Sequence, residues 1–173
     1  PRVIVPGAAV GFGRAIAHRF ARHGARVFAT DRDAAGLAET ASLVPGIAQH
    51  VMDLTDREAV AAWIAGIEQE TGGPIGVLVN NAGGVLGRQF RPIEETAFED
   101  WDAILRVNLD AVFTVTRAAA GGMKRAGRGR IINISSGAGL KPSRTGIQAY
   151  TSAKHAVIGL TRQLAQEFGP HGV

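Results

Sequence analysis

The sequence predicts an α/β domain organised on a parallel β-sheet, and three observations carry that prediction. Short runs rich in Val and Ile alternate with longer amphipathic stretches, the pattern of βαβ units. A glycine-rich turn, Gly7 to Gly13, lies directly between the first such run and the first such stretch, where a strand hands over to a helix. No repeat and no linker-like composition divides the 173 residues, so residues 1–173 read as one domain.

At 46% hydrophobic and 20% charged residues the chain can bury a core, and disorder is not expected. The apolar runs are strand-sized, and none approaches the roughly 18 residues of a membrane span. A formal charge of +4 and a pI near 10.3 invite a nucleic-acid partner. The arginines are scattered, however, and no block of like charges forms, so neither nucleic acid nor membrane is an expected partner. The absence of cysteine excludes disulfides and thiolate metal sites and fits a reducing compartment, with the cytoplasm as the expected location. The two ends read as those of a fragment. The chain starts at Pro1 inside an apparent strand, and it stops at Val173 just past a helix end that should lead into another.

The first strand spans Arg2 to Val5, and the helix after the glycine turn runs from Arg14 to about His23. Glycines at this turn let a ligand approach the backbone, and the helix N-terminus offers free N–H groups to a pyrophosphate; a tight strand-to-helix turn would need the same residues without a ligand. The second strand, Ala25 to Thr30, ends at Asp31, eighteen residues past Gly13. At roughly that distance an acid in a dinucleotide fold accepts hydrogen bonds from the adenosine ribose and repels a 2′-phosphate. This favours NAD over NADP, and Arg32 is the residue able to reverse the preference by pairing with a phosphate. Asp33 suits the N-cap of the next helix better than Asp31 does.

Ile47 to Met52 forms the third apolar segment, and Thr55-x-x-Glu58 reads as a capping box for a helix to about Thr71, which leaves the Asp53 carboxylate free. Ile75 to Val79 is the fourth strand. The Asn80-Asn81-Ala82-Gly83-Gly84 segment after it suits a strand end crossed by a ligand, and equally an ordinary turn. Thr96-x-x-Glu99 reads as a second capping box, opening a long helix to about Arg125 with Trp101, Ile104, Leu105, Val112 and Phe113 as its apolar stripe. Asn108 is a poor helix former on the face expected to be buried, so its amide serves either a structural bridge or a polar network reaching a site. The fifth strand, Arg130 to Ile134, runs into Ser135-Ser136, and the last helix, from Gln148 to Phe168, carries Val157, Leu160, Leu164 and Phe168 for a core or subunit interface.

On that last helix Tyr150 and Lys154 lie one turn apart, where a cation can support negative charge on a phenolic oxygen that gains and loses a proton. The spacing alone is also that of an ordinary solvated helix face. The five histidines show no metal-ligand spacing. Ser136 lacks a Gly-x-Ser-x-Gly elbow and a partner histidine, which argues against a hydrolase.

Taken together, Gly7-x-x-x-Gly11-Phe12-Gly13, Asp53, Asn80-Asn81-Ala82-Gly83, Asn108, Ser136 and Tyr150-x-x-x-Lys154, in this order and spacing, resemble the short-chain dehydrogenase/reductase family. The resemblance implies a Rossmann-type, doubly wound parallel sheet with helices on both faces, C-terminally incomplete, holding a nicotinamide dinucleotide across the carboxyl ends of its strands. It implies that Tyr150 is the acid/base, that Lys154 supports it and holds the nicotinamide ribose, and that Ser136 hydrogen-bonds the substrate oxygen. Asn108 would anchor a water linking Lys154 to solvent. Gly7, Gly11, Phe12, Gly13, Asp31, Arg32, Asp53, Leu54, Asn81, Ala82 and Gly83 would hold the cofactor, with Asp53 at the adenine amino group and Leu54 beside its ring.

This chain departs from the family pattern at Pro6, where threonine is usual, and in a segment between Ser136 and Tyr150 one residue longer than the commonest spacing, which leaves Ser135 as an alternative to Ser136. The expected function is an NAD-dependent oxidoreductase interconverting a secondary alcohol and a ketone, assembled as a homodimer or homotetramer on its two long helices. The alternative is a catalytically silent dinucleotide-binding or scaffold protein, which Pro6 favours. Arg88, Gln89, Lys141, Arg144 and Gln148 are the candidates for the near side of the substrate pocket, and their polarity hints at a hydroxylated or anionic substrate.

Overall fold

Val3, Ile4 and Val5 have no exposed surface, so this apolar run is buried on both of its faces, as the central strand of a parallel sheet must be. The computed structural model describes residues 1–173 and places that run, β1 (Arg2–Pro6), in the middle of five parallel strands. The others are β2 (Arg26–Asp31), β3 (Ile47–Val51), β4 (Val77–Asn80) and β5 (Arg130–Asn133), in the order β3-β2-β1-β4-β5. The helices are α1 (Gly11–Arg22), α2 (Ala34–Leu43), α3 (Arg57–Thr71), α4 (Phe98–Leu105), α5 (Ala111–Arg125) and α6 (Gln148–Phe168).

Two apolar layers hold the helices to the sheet. On one face Val3, Val5, Val27 and Ala29 pack with Ala17 of α1 and Leu37 of α2. On the other, Ile4, Phe28 and Leu78 pack with Val60, Ile64 and Ile67 of α3 and with Ala111, Val115, Ala119 and Met123 of α5. The alternation of neighbouring β1 and β2 residues between the two layers follows from the two-residue period of a strand. The result is a doubly wound, Rossmann-type fold. Strand order reverses between β1 and β4, so the chain leaves these two neighbours in opposite directions and a crevice opens at their carboxyl ends.

Every expected strand and helix is present, with ends moved by a few residues, and the differences have local causes. α1 begins at Gly11, so Gly13 lies inside its first turn instead of ahead of it. Asp33 caps α2 as expected, accepting from Gly36 N. Neither capping box forms. Asp56, not Thr55, caps α3 by accepting from the amides of Glu58 and Ala59. Thr96 donates back to Pro92 O in a 3-10 turn, and α4 starts two residues later without a side-chain cap. The long helix is also divided: between α4 and α5 the stretch Arg106–Asp110 is a π turn, closed by a bond from Ala111 N to Arg106 O. Phe113, expected in the apolar stripe, is 51% exposed, whereas Ile104 and Val112 are buried.

Pro6 closes β1 opposite Thr30. Thr30 Oγ1 is buried and has no hydrogen-bond partner. Its neighbour across the ladder, proline, offers neither a hydroxyl nor an N–H.

Candidate active site

Three loops meet at the crevice: the glycine turn after β1, the Asn81–Gly84 segment after β4, and the Ile134–Ser136 segment after β5. They enclose a cleft of about 820 Å³. Its lining includes Gly7, Gly11, Phe12, Gly13, Asp31, Arg32, Asp53, Leu54, Asn81, Ala82, Gly83, Ser135, Ser136, Tyr150 and Lys154. Of the sequence-derived catalytic and cofactor-binding residues only Asn108 lies outside that lining, and it is fully buried.

The glycine turn is packed too tightly for side chains. A Cβ on Gly13 would stand 1.9 Å from Gly7 O, so α1 can approach the end of β1 only with glycine there. Gly11 differs: its φ is +57° and its missing side chain faces open space, which leaves the first turn of α1 accessible from the cleft. Asn81 ties the turn to the adjacent strand end, donating to Gly7 O at 2.9 Å. Asn80 points elsewhere. It is buried in a ladder of side chains, donating to Thr116 Oγ1 and to Asn133 Oδ1.

At the β2 edge, Asp31 is engaged on both oxygens, Oδ2 accepting from Ala9 N at 3.0 Å and Oδ1 from Asp33 N at 3.1 Å. Asp53 is less free than the sequence suggests, because Oδ1 accepts from Thr55 N at 2.9 Å. Both still line the cleft with acceptor capacity to spare.

At the other end, Lys154 is 4% exposed and donates from Nζ to Ile134 O at 2.9 Å. Burial holds its ammonium below the usual lysine range. Nζ stands 5.7 Å from the centre of the Tyr150 ring. The two serines are distinguished by their bonds. Ser135 spends its proton on Lys154 O at 3.1 Å, while Ser136 Oγ accepts from Ala138 N at 3.1 Å and keeps its proton for another partner.

Asn108 sits in the π turn with both Nδ2 protons and one Oδ1 lone pair engaged. Oδ1 accepts from Gly84 N at 2.9 Å, and Nδ2 donates to Gly84 O at 2.8 Å and to Ile104 O at 2.9 Å. These bonds clamp the loop after β4, whose Gly84 lines the cleft, to the long helix.

The structure separates the remaining polar candidates from the cleft. Arg88 is held by Asp100 and Leu86 O, Gln148 donates to Arg91 O, and none of Arg88, Gln89, Lys141, Arg144 or Gln148 lines the cleft. Leu86, Ala103, Arg106 and Val107 line it instead. Only folding brings these four to the wall. One of them, Leu86, has φ +53°, a backbone angle that sequence spacing does not reveal for a non-glycine. His18, His23 and His155 are paired with backbone carbonyls and His50 stacks on Trp63, and no cluster that could hold a metal ion forms. No helix is long and apolar enough to cross a membrane.

Comparison with known proteins agrees with this fold. The short chain dehydrogenase family model matches residues 1–173. The chain is 40% identical over 176 residues to gluconate 5-dehydrogenase of Gluconobacter oxydans, covering 99% of this chain and 67% of that protein. It is 41% identical over 155 residues to the inactive 2-(S)-hydroxypropyl-CoM dehydrogenase 2 of Xanthobacter autotrophicus, covering 88% of this chain and 64% of that one. A crystal structure of a short-chain dehydrogenase from Streptomyces avermitilis superposes with a TM-score of 0.90 at 32% identity, over 99% of this chain and 61% of that one. The chain thus spans about two thirds of the length of these proteins. Motif order, fold and relatives together make this chain a member of the short-chain dehydrogenase/reductase family.

Proposed function

We propose that the protein is an NAD-dependent oxidoreductase that interconverts a secondary alcohol and a ketone. One observation carries the reading: a single cleft holds Tyr150, Lys154 and Ser136 at one end and Asp31 and Asp53 at the other, with the glycine turn between. A cleft this long, with accessible backbone at the first turn of α1 and an acid at the β2 end, fits a dinucleotide extended across the strand ends. When bound, the nicotinamide ring accepts or returns the hydride.

The chain's own residues move the proton and hold the substrate. In the oxidation direction the alcohol proton passes to the Tyr150 oxygen as the carbinol hydrogen leaves as hydride, and the carbonyl double bond forms. The buried ammonium of Lys154 stabilises charge on that oxygen, its position fixed by Ile134 O. The free proton of Ser136 donates to the substrate oxygen, which supports Ser136 over Ser135. Asn108 serves through the loop it clamps, holding Gly83 and Gly84 against the cleft.

Asp31 lines the cleft at the β2 end, and a carboxylate there favours ribose hydroxyls and disfavours a 2′-phosphate, which supports NAD over NADP. The absence of cysteine supports a reducing compartment such as the cytoplasm. Tyr150→Phe is expected to lower turnover of an accepted alcohol by about 10²–10⁴-fold while leaving NADH affinity within a few-fold of the parent. Near-normal turnover would sink the assignment.

A second reading, a dinucleotide-binding protein without catalysis, is favoured by Pro6 and by the relative whose name includes "inactive". It predicts nucleotide binding with no conversion of any member of a broad alcohol and carbonyl panel.

A further inference from the structure

The Asp31 carboxylate is oriented from outside the cleft. The N–H that fixes its Oδ2 belongs to the Ala8–Ala9 peptide of the glycine turn, and both alanines are buried. That peptide is met on its carbonyl side by Thr40 Oγ1, from the middle of α2, whose single proton has Ala8 O at 2.8 Å as its nearest acceptor, ahead of Gly36 O at 3.0 Å and Ala9 O at 3.3 Å. The following peptide is held by Arg14 of α1, whose Nε and Nη2 donate to Ala9 O at 3.0 and 2.6 Å. Arg14 Nε also reaches Thr40 Oγ1 at 2.9 Å, and its Nη2 is anchored by Gly36 O and Glu39. Thr40 is fully buried, and neither Thr40 nor Arg14 lines the cleft.

Resting on the dinucleotide reading above, we propose that Thr40 and Arg14 form a clamp that positions Asp31, making two residues remote from the ligand determinants of the choice between NAD and NADP. The physical argument is preorganisation. A carboxylate held by two amides presents its remaining lone pairs in one direction, toward ribose hydroxyls, and keeps its charge where a 2′-phosphate would sit. If the Ala8–Ala9 peptide is free to rotate, Ala9 N no longer holds Oδ2. The carboxylate can then turn aside, and both the attraction for the ribose and the repulsion of the phosphate weaken. Affinity for the unphosphorylated nucleotide therefore falls while affinity for the phosphorylated one rises or stays level, so the ratio between them narrows.

The test uses binding alone, on the intact protein, with 5′-AMP and adenosine 2′,5′-bisphosphate as probes that differ only in the 2′-phosphate. The parent protein should prefer 5′-AMP. Thr40→Val removes the hydroxyl and keeps the shape; by calorimetry it should narrow the preference by about fivefold or more, whereas Thr40→Ser, which keeps the hydroxyl, should retain it. Arg14→Met should act in the same direction as Thr40→Val and carries the test if the valine variant does not fold. An unchanged preference in a folded Thr40→Val or Arg14→Met protein, or equal loss in Thr40→Val and Thr40→Ser, overturns the clamp. Absence of binding of either probe to the parent protein would instead overturn the dinucleotide reading and the clamp with it.

Discussion

Lys154, proposed for the catalytic site, is a residue whose burial costs the fold. Its side chain is almost wholly buried with one carbonyl partner and no carboxylate, and desolvation holds its ammonium below the usual lysine range. Because its folded-state pKa lies below the unfolded value of 10.5, the unfolded chain binds the proton more tightly. The penalty is thus present at neutral pH and is relieved as pH rises from the folded value toward 10.5, so this residue makes stability increase with pH across that window. Lys154→Met, close in volume and uncharged, is therefore expected to melt no lower than the parent at neutral pH while losing catalysis. A melting temperature several degrees lower would show that the bond to Ile134 O outweighs the desolvation.

At the scale of elements, the division of the long helix is the informative feature. A regular α-helix from Phe98 to Arg125 has no need of a buried asparagine, and the π turn at Arg106–Asp110 places Asn108 where its carboxamide closes on both backbone groups of Gly84. Asn108→Leu leaves those groups and Ile104 O without their partner, and urea denaturation should show a loss of about 2–3 kcal/mol. A loss within about 0.5 kcal/mol, the range of an ordinary surface change, would mean that the loop after β4 does not depend on the bridge. The same scale exposes the weakness of pattern reading. Both Ser/Thr-x-x-Glu boxes were visible in the sequence and neither formed, because Asp56, one residue past Thr55, offers a charged acceptor that takes the amides of Glu58 and Ala59, and Thr96 is used by the 3-10 turn before it.

For the whole molecule, Phe98 and Phe113 remain 84% and 51% exposed on the two segments of the long helix, while Val115, Ala119 and Met123 of α5 fill the layer against the sheet. Large apolar side chains left in water on a helix that already fills its sheet-facing layer support a homodimer or homotetramer built there. Light scattering on the intact protein should give two or four times the single-chain mass, and Phe113→Glu should shift it toward one. A single-chain mass for the parent would contradict the assembly.

The parallel sheet and the order of its elements were legible in the sequence because they rest on apolar periodicity and on glycine at a strand-to-helix turn; many cleft residues were legible only through the resemblance carried by the ordered motifs, and Leu86, Ala103, Arg106 and Val107 were not legible at all. What only the tertiary structure decided is which partner each polar group takes. Ser135 and Ser136 are indistinguishable as neighbours in sequence, and they separate because one alone meets the Lys154 carbonyl. Arg88 and Gln148 look available for a substrate until folding brings Asp100 and Arg91 O to them. Thr40 and Arg14 carry no motif at all, and they gain a connection to Asp31 because α1, α2 and the glycine turn converge on one peptide. The bonds of Ala9 N to Asp31, Arg14 to Thr40 and Thr40 to Ala8 join residues 22, 26 and 32 apart, and that information lies in the fold and in no single stretch of the chain.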